Sequence, residues 1–351
     1  LDLTTVNIRL KKAFQSLLAQ EGSTSWVLPA VVGVFLVLVV GSVSTAEDFF
    51  GPYRSMVLDI NKYRGGNVIY SPAWLVPVLA PFITLPGRSG YYALTAVTIG
   101  LLVYSARVLG GKWLPVLFSA QLVWILWYGQ IEGLVIFGIA LCVLALKRNE
   151  WGWLAVGLLL ALTKPQVGLV PAIYLWWRSG NMRWKSAAVI AGVFLGTLAA
   201  WGPWPLWILN ETGHLLDNGA YHIFNVSLGL YALPLLIPAI ALPLKPQSRL
   251  LALSATALLI SPYLPYYSTI LLLVQPIPVW LYVFAFYSYL SPYIGAVWGM
   301  KPVILLPLLT LAYLYYPFAR DWVKKRVESR EQRVVEKQTP VSESEIKPEN
   351  Q

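Results

Sequence analysis

One carboxylate, Asp48, follows within five residues of an apolar run from Trp26 to Val43, in the sequence Glu47-Asp48-Phe49-Phe50. At the end of a helix long enough to cross a bilayer, such a group can take a proton from an acceptor hydroxyl while a lipid-borne phosphate approaches from the hydrocarbon side. Asp48 is therefore the expected general base, with Glu47 as its assistant and Asp59 as its rival. Tyr53 and Arg54 share the same polar segment and are expected to touch substrate.

Two more charges interrupt apolar sequence further on. Glu132 follows Tyr128-Gly129-Gln130-Ile131, and Lys164 precedes Pro165-Gln166. A charge with hydrophobic residues on both sides needs a partner, a substrate or a wet cavity to offset its desolvation. Two readings stand side by side: Glu132 and Lys164 pair with each other, or Lys164 neutralises a phosphate while Gln130 and Gln166 hydrogen-bond sugar or phosphate oxygens. Glu132 is grouped with the substrate contacts.

His214 and His222, the two histidines, lie near Glu211 and Asp217. Their spacing does not reproduce a compact metal motif, so they are expected to contact substrate or shuttle protons, and no metal or cofactor is expected. Ser261-Pro262-Tyr263-Leu264-Pro265-Tyr266-Tyr267 breaks the late apolar region. Tyr266 and Tyr267 present flat faces with polar tips, which suit either sugar stacking or an aromatic membrane belt. Asn210-Glu211-Thr212 and Asn225-Val226-Ser227 match the glycosylation sequon.

The elements that must position these residues are helices. Apolar sequence runs on almost to Arg320, and Leu250 to Met300 holds no Asp, Glu, Lys or Arg. Such a chain cannot cover its core with polar surface and reads as an all-α, polytopic membrane helical bundle. About 10 to 12 transmembrane or broken helices are expected, with a short first loop on the outer face. Gly129 and Pro165 mark broken helices, whose loosened backbone is tolerated where it lines a site. Residues 1–25 read as an amphipathic cytoplasmic N-terminus, 26–319 as the membrane body and 320–351 as a charged, largely disordered cytoplasmic tail.

The formal charge of +10 is dispersed between apolar runs, which excludes a nucleic-acid stripe. Arg9, Lys11 and Lys12 ahead of the first span predict a cytoplasmic N-terminus, and Arg178, Arg183, Lys185, Lys245 and Arg249 predict cytoplasmic loops, leaving Asp48 outside. The single Cys142 makes an intramolecular disulfide impossible.

In order along Val27 to Phe318, the chain carries Asp48-Phe49-Phe50 with Tyr53, then Tyr70-Ser71-Pro72 with Pro77, Pro81 and Pro86. Gly129-Gln130, Gly157 ahead of Leu158 to Gln166, and Ser261-Pro262 with Tyr266-Tyr267 follow. In this order it resembles the multispan polyprenol-phosphate-dependent glycosyltransferases, and particularly the mannosyltransferase-like glycosyltransferase family 87. It departs from them at Ile131-Glu132, where an asparagine is common, and at Tyr266-Tyr267, where an aromatic-histidine pair is common. The resemblance implies a GT-C-like fold in a bacterial or archaeal plasma membrane. It further implies inverting transfer of a hexose from a polyprenyl-phosphate sugar to a lipid or glycan acceptor, Asp48 as base and no obligatory divalent metal. The other readings are a small-solute or lipid transporter, and a noncatalytic lipid-binding subunit of a membrane-protein complex.

Overall fold

Proline and glycine cut the apolar sequence into helices of very unequal length. The structure, a computed structural model, describes residues 26–58, 71–209 and 225–338. The longer helices are α1 (Val27–Val43), α2 (Leu75–Ile83), α3 (Ser89–Leu109), α4 (Ala120–Tyr128), α5 (Glu132–Arg148), α6 (Trp151–Ala161), α7 (Pro165–Arg178), α8 (Met182–Trp201), α9 (Pro246–Ile260) and α10 (Leu305–Gln338). Short α and 3-10 turns join them, and no strand forms among the described residues.

Several boundaries have plain local causes. Ser119 caps α4 by accepting a hydrogen bond from the Leu122 amide at 3.1 Å. Pro165 and Pro246 stand at the first positions of α7 and α9, where a missing amide costs nothing. Gly202-Pro203 stops α8 at Trp201, although apolar sequence continues to Leu209. The apolar sequence between Asn225 and Leu244 forms only a 3-10 turn (Gly229–Leu235) and a short helix (Leu236–Ala241).

Among the described residues, three helices are long and apolar enough to cross a membrane, or four if the bent pair α4 and α5 makes one span. The expected 10 to 12 crossings are not supported. The expectation treated each apolar run as a helix able to cross, whereas α1 has 17 residues, α6 has 11, and the prolines between 262 and 292 leave nothing longer than Val279–Leu290 in that stretch. The charged tail also begins inside a helix, because α10 continues without a break through Arg320 to Gln338.

The core packs α5 against α3, α6 and α7, with α9 across α7 and α10 along α9. Close approach of α5 and α6 depends on small residues. A Cβ on Gly157 would lie 2.7 Å from the Gly138 carbonyl oxygen and 2.7 Å from Cys142 Sγ. A second apolar cluster, including Phe49, Tyr53, Met56, Leu79, Tyr91 and Trp204, covers the end of the bundle where α1 finishes.

The bundle is polar along its axis. Helices α5 and α7 start at the end that holds Asp48, and α9 finishes there. Their opposite ends carry Lys147, Arg148, Arg178, Lys245 and Arg249. Trp26, at the start of α1, lies under Arg107 at this same basic end, 3.9 Å from guanidinium carbon to ring centroid.

Candidate functional site

The segment carrying Asp48 is tied to a helix terminus. The last carbonyls of a helix have no partner within it, and at the end of α4 two of them find partners here. Trp127 accepts from the Ala46 amide at 2.9 Å, and Leu126 accepts from the Tyr91 hydroxyl at 2.5 Å. Tyr91 in turn accepts from Ser44 at 2.7 Å, and Arg88 donates to the Gly41 and Ser44 carbonyls. Ala46 takes a left-handed φ of 49° to make the turn, and Phe49–Tyr53 follows as a π-helical turn containing Pro52. Both are uncommon backbone states of the kind concentrated at functional sites.

Between α4 and α5 the chain bends by 117°. Gly129 makes the bend possible: its φ is +73°, and a Cβ there would come within 2.7 Å of Phe49 Cβ. The bend leaves Gln130 in the break and Glu132 in the first turn of α5, where the helix dipole favours an anion. Lys164 occupies the corresponding break between α6 and α7. It stands at a helix N-terminus, which disfavours a cation, so its position depends on the acids around it.

These side chains meet in one chain of contacts. Lys164 Nζ forms an ion pair with Glu132 Oε1 and donates to Gln130 Oε1 at 3.1 Å. Gln130 Nε2 donates to Asp48 Oδ2, and the Tyr53 hydroxyl donates to Gln130 Oε1 at 3.4 Å. Lysine has only donors and a carboxylate only acceptors, so a single orientation of the Gln130 amide satisfies both neighbours. Ser268 donates to Glu132 Oε1 at 2.8 Å. Glu132 is fully buried, and its second oxygen, Oε2, has no hydrogen-bond partner among the described residues.

Aromatic rings form one wall. Lys164 Nζ lies 5.3 Å from the Tyr267 ring centroid, Tyr267 packs on Tyr128 and Tyr266, and Trp124 stacks on Tyr128 with centroids 5.5 Å apart. Asp48 itself is half-buried, beside exposed Glu47. Burial raises its pKa from the ordinary 3.8 to about 6; Lys164 opposes the rise, Glu132 and Glu47 add to it, and the Gln130 hydrogen bond opposes it. A carboxylate tuned in this way is ionised at neutral pH yet more basic than an exposed one.

Of the residues expected at the site, the structure gathers Asp48, Tyr53, Gln130, Glu132, Lys164 and Tyr267, with Tyr266 in the adjoining wall. Arg54 is exposed at the edge, and Gln166 is half-buried, its side chain without a hydrogen bond to another described residue. His214, His222 and Asp59 lie outside the described residues. Of the two readings of the Glu132 and Lys164 charges, the geometry shows the pairing, and Gln130 is bonded to Lys164 as well as to Asp48. Ser268 escaped sequence reasoning although it directly follows Tyr266-Tyr267, a polar step in an uncharged stretch. Ser71, read only as part of the Tyr70-Ser71-Pro72 motif, hydrogen-bonds Tyr53. The Asn225 sequon proves to be a structural joint, since Asn225 Oδ1 accepts from the Leu264 amide, the Ser227 amide and the Ser227 hydroxyl.

Among the described residues no group of three His, Cys, Asp or Glu side chains comes together as a metal site. No protein-family model, curated protein or solved structure matches this chain.

Proposed function

We propose that the chain is a membrane-embedded glycosyltransferase that moves a hexose such as mannose from a polyprenyl-phosphate donor to a lipid or glycan hydroxyl. The observation that carries this reading is Asp48: a half-buried carboxylate beyond the end of α1, oriented by Gln130 and raised to about 6. Its proton affinity suits a base working near neutral pH.

In the reaction the acceptor oxygen attacks the anomeric carbon and its proton passes to Asp48. The bond from that carbon to the phosphate oxygen breaks, and polyprenyl phosphate leaves with the bonding electrons. One displacement inverts the carbon. Lys164 shares its charge with Glu132, so its first task is to fix Gln130 and, through it, Asp48. Exposed Arg54, next to Tyr53, offers the more accessible positive charge for the leaving phosphate. An apolar cleft of about 360 Å³, lined by residues of α2, α6 and α8 including Trp74 and Trp201, suits an isoprenoid chain. Trp74 packs edge-on against Trp204 of the cluster that covers Phe49 and Tyr53. The excess of cations at the opposite end of the bundle supports a cytoplasmic location for that end and an outer-face location for Asp48.

The test is transfer of radiolabelled sugar from polyprenyl-phosphate-mannose and related donors to a membrane-lipid extract, comparing the purified protein with Asp48→Asn. Labelled product from the parent chain and its loss in the variant support the proposal. Absence of product across donors, with both proteins folded, rejects it.

A transporter is the second reading, favoured by the broken span and its buried ion pair, features that also build substrate sites at the centre of transporters. Solute counterflow into proteoliposomes, abolished by Glu132→Gln, would select it over transfer.

A further inference from the structure

The ends of α3, α5, α7 and α9 furthest from Asp48 surround a cavity of about 670 Å³. Helix α5 runs from Glu132 in the site to Arg148 beside this cavity, and its 17 residues extend about 25 Å. The two places therefore belong to opposite ends of the bundle and share no side chain.

The cavity has the character of an amphiphile site. Val143, Leu146, Leu175 and Leu250 give its wall aliphatic stretches, beside the polar Ser179, Gln247 and Gln275. Its rim holds two cations, Lys147 and Arg178, both exposed, with Asn149 and Asn181 between them. No carboxylate lines it among the described residues. The rim is also held in shape: Asn149 ends α5 with a left-handed φ of 56°, Gln247 donates to the Leu109 carbonyl at 2.8 Å, and Tyr174 donates to the Pro246 carbonyl at 3.2 Å.

We propose that this cavity binds the phosphate headgroup of an anionic membrane phospholipid, with Lys147 and Arg178 on the phosphate and the upper acyl chains against the aliphatic stretches of its wall. Basic pockets between helices at the cytoplasmic end of a bundle recognise lipid phosphates by this combination. Two cations without a lining acid favour a net-anionic headgroup over a zwitterionic choline headgroup, whose own ammonium would meet like charge. A free phosphate could satisfy the cations but would leave the walls empty. The proposal does not depend on transfer at Asp48.

The test is a lipid titration of delipidated full-length protein followed by native mass spectrometry, with phosphatidylglycerol and phosphatidylcholine as probes. Phosphatidylglycerol is expected to bind about tenfold more tightly. The Lys147→Gln/Arg178→Gln variant should erase that preference, while Lys185→Gln, at the same end but off the cavity, should keep it. Val143→Trp leaves both charges in place and fills the space, so it should also expel the lipid. Equal binding of the two lipids overturns the proposal. So does an equal loss in Lys185→Gln, undiminished binding in Val143→Trp, or complete displacement of the lipid by millimolar glycerol phosphate, which would make this a soluble-phosphate site.

Discussion

Lys164→Met keeps the length of the side chain and removes the charge against which Glu132 is buried. Glu132 has no exposed surface, and one of its oxygens already lacks a partner, so an unpaired carboxylate there keeps little beyond the Ser268 hydroxyl. Breaking a buried pair from one side costs about 3–5 kcal/mol, and loss of the Gln130 hydrogen bond adds about 1 kcal/mol. Glu132→Gln alone should cost about as much, because it strands the ammonium instead. With Glu132→Leu and Lys164→Met combined, neither charge remains, and an apolar pair of similar size is nearly neutral. The double-mutant cycle should therefore show a coupling of about 3 kcal/mol or more, read by denaturant unfolding in lipid–detergent micelles followed by tryptophan fluorescence. Additive losses, within about 0.5 kcal/mol, would refute the argument that these residues stabilise the fold as a pair.

The other predictions concern the acid and the backbone that carries it. Transfer activity should rise with pH about a midpoint near 6, the value to which burial moves Asp48. Lys164→Met should move that midpoint up and Glu132→Gln should move it down, since the ammonium opposes the rise and the carboxylate promotes it; initial rates from pH 4.5 to 8.5 give both. An acid with a raised folded value loses stability as pH climbs from its unfolded value to its folded one. The change from 3.8 to about 6 is worth about 3 kcal/mol, reduced to about 1–2 kcal/mol by hydration of the half-buried group. Asp48→Asn should thus be inactive yet more stable by that amount at pH 7.5, and equal in stability to the parent near pH 3.5, as denaturant midpoints will show. Gly129→Ala should cost about 2–4 kcal/mol, combining left-handed strain with the overlap on Phe49, and should slow transfer by displacing Asp48.

The sequence was most legible where a strong charge meets a break in an apolar run. Gly129 and Pro165 point to interrupted helices, and Gln130, Glu132 and Lys164 beside them meet in space because the interruptions on α4–α5 and α6–α7 face each other. Asp48 stood out as a carboxylate just beyond the apolar run that forms α1. Ser268 was harder to find, since a hydroxyl carries no desolvation cost large enough to mark it, and its partner lies 136 residues away in sequence. The number of crossings was illegible for a different reason. Hydropathy reports that a segment is apolar but not whether it remains helical for the width of a bilayer, and between Pro262 and Pro292 backbone chemistry decides otherwise.

Helix α10 has the geometry of a lever with Pro317 at its weak point. Pro317 has no amide for the Tyr313 carbonyl, so the helix loses a rung about where its apolar half gives way to Arg320, Asp321, Lys324 and Lys325. The residues beyond it, 318 to 338, extend about 31 Å, so tilting this arm by about 10° at Pro317 would carry its tip about 5 Å. A small rotation of the last helix against α9 is thereby enlarged into a displacement of charge well outside the bundle.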